Sequence, residues 1–100
     1  MSLTLFLNSL TGKIFKILPL KEKNDDGYAV HFEDYLDSLL MEIIGACDTF
    51  SELGKSTEFL AVINTMQYIS QNEVSVKVCK REVFKMIGLV NKINAQGGVS

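Results

Sequence analysis

Several residue types that carry specialised chemistry are scarce in this chain of 100 residues. It has one histidine, one proline, one arginine and no tryptophan. The single histidine, His31, cannot complete a two-histidine metal site, and any Ser-His-Asp or Cys-His arrangement would have to use it. It stands beside acidic residues at the start of a predicted helix, where a surface histidine is the ordinary interpretation. We therefore expect no enzyme, no metal site, no cofactor and no small-molecule substrate.

Cysteine is scarce as well. Cys47 and Cys79 are 32 residues apart and form no CxxC spacing, so they do not make the disulfide framework of a secreted domain. Both stand on the apolar side of helical patterns, where a free cysteine behaves as a small hydrophobe. The sequence predicts reduced, buried, structural thiols in a cytoplasmic protein.

No basic residue precedes the apolar stretch at the N-terminus, and its lysines, Lys13 and Lys16, follow it. That order is wrong for a signal peptide, and no run approaches the ~18 consecutive apolar residues of a membrane span. A helix lying on a membrane surface is an alternative, but its lysines gather at one end and do not line a polar face. We expect this segment to pack in a core and the protein to make no membrane contact.

The charge balance excludes a further class of protein. Ten basic and twelve acidic residues give a net charge of −2 and a pI of about 5.3. A dedicated nucleic-acid binder usually carries a basic excess over its whole domain. The hydrophobic content of 47% is that of a globular protein, and 100 residues predict one domain, residues 1–100.

Apolar residues recur at helical spacing along most of the chain. The first predicted helix covers residues 3–18 and ends at Pro19, with a short strand over residues 3–7 as the alternative. Residues 21–28 are charged and rich in turn formers, which predicts a flexible loop.

The second predicted helix covers residues 30–49. Gly54 then offers a positive-φ position, and Ser56 or Thr57 can cap the third helix. Ser75 or Asn72 can cap the fourth. The predicted buried stripes are Phe32, Leu36, Leu39, Ile43, Ala46 and Phe50, and then Phe59, Val62, Ile63, Met66 and Ile69. The fold class expected is all-α: a small antiparallel bundle of about four helices with short loops.

The segment from residue 76 to 93 combines an apolar seam with a basic face. Its seam residues are spaced 3-4-3-4-3, the pattern of packed helices: Val76, Cys79, Val83, Met86, Val90 and Ile93. Phe84, Ile87 and Leu89 widen this apolar surface. The opposite face carries Lys77, Arg81, Lys85 and Lys92, with Lys80 nearby. The basic residues are therefore the solvated side of a bundle helix.

The predicted second helix has the opposite charge. Its acids are Glu33, Asp34, Asp37, Glu42 and Asp48. Helices of opposite charge favour lying beside each other, within one chain or across a symmetric dimer. The candidate interaction surface comprises Lys77, Lys80, Arg81, Lys85, Glu33, Asp34, Asp37, Leu40, Ile44 and Leu89, where the apolar members exceed what a domain of this size buries.

Residues 22–33 resemble the calcium loop of an EF-hand. Counted from Glu22, they place Asn24 at position three, Asp26 at five, Gly27 at six and Glu33 at twelve. The first ligand should be Asp, position eight should be a larger aliphatic residue, and no second hand follows. A solvated acidic loop is the favoured interpretation.

The function expected is a non-catalytic protein–protein interaction or assembly module, self-associating as a dimer or binding another protein. It would act as an accessory, adaptor or inhibitor protein. Abundant Lys, Ile, Asn and Leu with one Arg are typical of an AT-rich bacterial or phage genome. The alternative is a nucleic-acid-associated regulator that uses the basic face of the C-terminal helix. Against nucleic acid, the chain has a single arginine and no aromatics interleaved with the lysines.

Overall fold

The computed structural model describes residues 2–97, and within them every regular element is a helix. The six helices are α1 (Leu3–Phe15), α2 (Ile17–Asp25), α3 (Phe32–Thr49), α4 (Ser51–Gly54), α5 (Thr57–Gln71) and α6 (Val76–Gly97). The predicted all-α class is confirmed, and the helix over residues 3–7 prevails over the alternative strand. Residues 1 and 98–100 of the predicted domain lie outside the described residues.

The first predicted helix ends earlier than expected, and the chain then continues as a second helix. Pro19 has no N–H to bond the carbonyl of Phe15, and its ring clashes with that carbonyl in a continuous helix. The helix therefore breaks at Lys16, and Pro19 falls in the first turn of α2, where a missing N–H costs little.

The prediction of a flexible loop over residues 21–28 was wrong for its first half, because α2 extends to Asp25. A Schellman motif ends this helix. Tyr28 N–H donates to the carbonyl of Lys23 at 2.9 Å, and Gly27 N–H donates to that of Asn24 at 3.1 Å. Gly27 has φ +92°, the left-handed region that glycine favours.

The second and third predicted helices are confirmed as α3 and α5, joined by the single turn α4. Gly54 belongs to α4 and does not have the positive φ expected of it. Among the described glycines, the positive φ is that of Gly27, at the end of α2. Of the two predicted caps of α5, Ser56 is the one used: its Oγ accepts from Phe59 N–H at 3.1 Å.

Ser75 caps α6 by accepting from Val78 N–H at 3.2 Å. Asn72 closes the C-terminus of α5, where its Nδ2 donates to the Tyr68 carbonyl at 2.9 Å. At each end of the α5–α6 connection, a side chain therefore bonds a backbone group that the helix leaves free. Helix α6 begins at Val76, the first residue of its predicted seam.

The long helices form a ring of antiparallel neighbours. The α1–α2 segment packs against α3 on one side and α6 on the other, and α5 packs against the same two helices. Contacts between distant residues fix the directions: Asn94 Nδ2 donates to Asn8 Oδ1, and Phe15 meets Phe84 edge to face. The result is an up-down-up-down bundle about twice as long as it is wide, 45 × 21 × 20 Å.

The core of this ring consists of the predicted stripes. Ile43, Phe59, Val62, Met66 and Val83 are fully buried. The seam of α6 is buried from Cys79 onward, whereas Val76, Phe50 and Ile63 are only partly covered. The helix patterns thus placed the core residues correctly and erred at the ends and edges of the stripes.

By length and composition alone, the helical segment Leu3–Asp25 is long and apolar enough to cross a membrane. A single segment of this kind is weak evidence, since core helices and N-terminal signal sequences meet the same criterion. In the bundle one face of this segment is internal, because Leu7, Leu10, Ile14 and Ile17 are 0–1% exposed, while Leu5 and Phe15 on other faces are 63% and 43% exposed. The core packing expected of this segment is therefore confirmed.

The cap of α5 gives a stability prediction. Replacing Ser56 with Ala removes the acceptor for Phe59 N–H, so the free energy of unfolding should fall by about 1 kcal/mol. Thr57 is exposed and its hydroxyl takes part in no such bond, so Thr57→Ala is the matched control and should change stability by about 0.5 kcal/mol or less. Urea unfolding followed by circular dichroism measures both, and equal losses would contradict the assignment.

Candidate functional site

Two open clefts lie at opposite ends of the bundle. One, of about 490 Å³, lies between the start of α1, α4 and the end of α6. The other, of about 630 Å³, lies between the end of α2, the start of α3 and the α5–α6 connection. The second contains a feature that the sequence patterns did not indicate, a buried lysine.

Lys21 is 8% exposed although the sequence placed it in a loop. Its Nζ lies 2.9 Å from Asp25 Oδ1 and 5.5 Å from the ring centroid of Phe32. The ion pair and the cation–π contact account for the burial of this charge. Helical i,i+4 spacing of Lys21 and Asp25 was the signal that could have found it. The contact with Phe32 joins α2 to α3 through Lys21. The ammonium is already paired with Asp25, so we do not assign it an anion-binding role.

The EF-hand resemblance does not extend to the structure. Glu22 and Asn24 lie in the last turns of α2 and Glu33 lies in the first turn of α3, so these ligand positions belong to two helices and not to one loop. Across residues 2–97, no group of three or more His, Cys, Asp or Glu side chains is placed to hold a metal ion. His31 precedes α3 with φ +52° and makes no side-chain cap, and its Nδ1 lies 3.8 Å from Asp34 Oδ2 on the surface.

The two cysteines are free thiols in different surroundings. Cys79 is fully buried in the seam of α6, as predicted, whereas Cys47 is partly exposed between α3 and α4. Burial raises the pKa of the Cys79 thiol above its ordinary value. Burial and the neighbouring Asp48 raise the pKa of Cys47. Neither thiol has the lowered pKa of a reactive cysteine.

The predicted basic face forms an exposed edge of α6. We define the basic edge as Lys77, Arg81, Lys85 and Lys92. Glu82, only 9% exposed, lies beneath it and accepts from Arg81 at 3.1 Å, while Lys85 approaches it to 3.8 Å. The Arg81 and Lys85 side chains still keep more than half of their surface in solvent. Glu82 therefore neutralises part of the charge of the basic edge, and the outer side of the edge remains exposed to solvent.

Two other predicted members of this surface lie elsewhere on α6. Lys80 precedes Phe84 by one turn, and Phe84 is 48% exposed and packs against Phe15 of α1. Lys80 therefore lies on the flank that faces α1, and Lys77, two turns before Phe84, lies close to the same flank, whereas Arg81, Lys85 and Lys92 point away from it. Leu89 is partly buried on the flank that faces α5.

The predicted acids of α3 are all exposed, but none pairs with α6. Glu42 forms an ion pair with Lys13 of α1, and Asp37 accepts from the Ser70 hydroxyl of α5 at 3.1 Å. The expected pairing of acidic and basic helices within one chain was wrong. In a ring of four helices connected in sequence, the second and fourth are diagonal, so α3 and α6 cannot be neighbours. We define the acidic edge as Glu33, Asp34, Asp37 and Asp48.

Between α3 and α5 lies a solvent-exposed group of apolar side chains. It includes the predicted residues Leu40 and Ile44; Ile44 is 45% exposed and Leu40 is partly covered. Met41 is 75% exposed and Leu60 is 44% exposed. Ile63 completes the group, because the Asp37–Ser70 contact aligns the antiparallel helices so that Ile44 lies level with Ile63. We call Leu40, Met41, Ile44, Leu60 and Ile63 the apolar patch.

The outward side of α5 carries no charge. Leu60, Asn64, Gln67 and Gln71 follow at intervals of four, three and four residues, which places them on one face. The only residue of this helix that is charged at neutral pH is Glu58, whose carboxyl pairs with Lys92 at 3.5 Å. A hydrogen bond from its own backbone N–H, and then Lys92, lower the pKa of Glu58. We call Leu60, Asn64, Gln67 and Gln71 the neutral stripe; sequence reasoning missed it because it was defined by missing charges.

Comparison of the chain with family models, curated proteins and solved structures finds no match to any of them.

The unequal burial of the two thiols gives a chemical prediction. Iodoacetamide at pH 8 should alkylate Cys47 in the native protein, whereas Cys79 should react only after unfolding, because it is sealed in the α6 seam. Mass spectrometry of digests with and without urea reads out each site. Rapid native labelling of Cys79 would contradict the burial of the seam.

Proposed function

We propose that this protein is a non-catalytic protein–protein interaction module that self-associates, and that it acts as an accessory, adaptor or inhibitor protein. The single observation that carries the proposal is the apolar patch between α3 and α5. Met41, Ile44 and Leu60 expose from 44% to 75% of their surface although the adjacent core is closed. A contiguous apolar patch of this kind is typical of a protein-binding surface.

The amount of exposed surface by itself does not require a partner. The chain exposes 5997 Å², close to the roughly 5,700 Å² that the size scaling of folded monomers gives for this mass. What supports an interface is the composition of one region: Met and aliphatic residues in the centre, amides beside them and charges at the margins. That arrangement of an apolar centre within a polar rim is the general anatomy of protein interfaces.

The same surface favours a protein partner over nucleic acid. The chain has a net charge of −2 and a single arginine, and the acidic edge on the same surface would repel phosphate groups. Lys80 is separated from Arg81 and Lys85 on the far flank of α6. The free, unbridged state of Cys47 and Cys79 agrees with the cytoplasmic location that we propose.

Light scattering coupled to size exclusion, over a wide concentration series, tests the proposal. We expect a dimer that dissociates only on dilution. Replacing Ile44 with Glu places a charge in the centre of the patch and should weaken association by about tenfold or more, because the carboxylate must be desolvated in the interface.

Leu5→Glu is the matched control, since Leu5 is 63% exposed on α1, the helix diagonal to α5. This variant should associate as the original protein does, and circular dichroism should show both variants folded. A protein that remains monomeric at every concentration would contradict self-association. A dimer that persists unchanged in Ile44→Glu would contradict the assignment of the patch.

A further inference from the structure

The charges beside the neutral stripe are arranged with a definite order around the bundle. In the ring, α5 lies between α3 and α6, so the neutral stripe has the acidic edge on one side and the basic edge on the other. The Asp37–Ser70 hydrogen bond marks the acidic side, and the Glu58–Lys92 ion pair marks the basic side. Across this surface, acidic residues are therefore followed by apolar and uncharged residues, and these by basic residues.

The two edges also match in height along the bundle. Counted back from the Glu58–Lys92 contact, Arg81 lies level with Ile69, next to the Ser70 that contacts Asp37. Asp37 and Arg81 therefore lie at about the same height, within roughly one helical turn of about 5.4 Å.

The match extends along both helices, because α3 and α6 run in the same direction. Asp48 follows Asp37 by eleven residues, and Lys92 follows Arg81 by the same interval. Toward the other end, Asp34 precedes Asp37 by three residues and Lys77 precedes Arg81 by four. The acids of α3 and the bases of α6 thus form two ladders at the same heights on diagonal helices.

We propose that this surface binds a second copy of the chain around a two-fold axis parallel to the helices. The inference deepens the proposed self-association and rests on it. A rotation about such an axis keeps every height and exchanges left with right. The acidic edge of each copy then lies over the basic edge of the other, and the two neutral stripes meet at the axis.

This two-fold arrangement places Asp37 opposite Arg81 of the second copy and Asp48 opposite Lys92. Each pair occurs twice. A two-fold axis perpendicular to the helices would instead place acidic edge on acidic edge, which like-charge repulsion disfavours. The charge order therefore selects the dimer in which the two α5 helices run parallel.

Disulfide formation between engineered cysteines at the axis tests the direction of the helices. Leu60 and Gln71 are exposed at the two ends of the neutral stripe, about 16 Å apart along α5. In a Cys47→Ala background, Leu60→Cys and Gln71→Cys should each form a disulfide-linked dimer alone. A mixture of the two should yield only these same two products. Ser9→Cys, exposed on the diagonal helix α1, is the matched control and should form none.

The other outcomes are distinct. A mixed disulfide between Leu60→Cys and Gln71→Cys chains, with neither alone reacting, would overturn the parallel axis. No disulfide in a protein that light scattering shows to be dimeric would overturn this surface and leave self-association standing. A monomer at all concentrations would overturn the proposed function and this inference with it.

Charge reversal tests the edges. Asp37→Arg and Arg81→Asp should each raise the dissociation constant of the dimer about tenfold, because each change sets like charges opposite one another twice. The double variant exchanges the signs and should return the constant to within about threefold of the original. Lys80→Asp, on the flank of α6 away from Arg81, is the matched control and should leave it unchanged. A double variant as weak as the sum of the single ones would overturn the pairing.

Discussion

The packing of the α6 seam is the interaction on which the rest of the fold depends. Cys79, Val83, Met86 and Val90 are 0–1% exposed, and α6 packs against α1, α2 and α5. A seam at 3-4 spacing keeps one side of a long helix facing its neighbours over several turns. The first helix, α1, packs against the last, α6, along this seam. The seam therefore closes the ring of helices.

The closure of the ring determines where the charges lie. Short connections make consecutive helices neighbours, and a closed ring of four then leaves two diagonal pairs. One of these pairs consists of acidic α3 and basic α6. The charges that would attract one another in an open arrangement are held on separate sides of α5, so both edges remain exposed to solvent.

Local patterns were sufficient to predict the helices and most of the core. The stripes of α3, α5 and α6 follow from helical periodicity, and the Ser56 and Ser75 caps follow from the free N–H groups of a first turn. These features depend on residues within a turn or two of each other. The chain's own sequence therefore contains the information needed to place them.

The errors arose where distant residues decide the outcome. Lys21 was predicted to lie in a loop by its charge. Its pairing with Asp25 is local to α2, but Phe32 covers it only once α2 and α3 have packed. The relation of the acidic and basic helices likewise depends on ring order, which helix propensity does not encode. The neutral stripe was overlooked for a similar reason. Its significance comes from the charged edges on either side of it, and these become neighbours of α5 only in the folded bundle.

In the dimer that we propose, the charge-free helix and the charged helices on either side of it have separate roles. Exposed ion pairs each contribute about 0–1 kcal/mol, too little to hold two proteins together. Apolar residues such as Ile44 and Leu60 supply the attraction on burial, but they do not distinguish one orientation from another. Charged edges at matched heights supply that distinction, since only one two-fold rotation brings unlike signs together. Attraction and orientation are thus assigned to different residues of one surface.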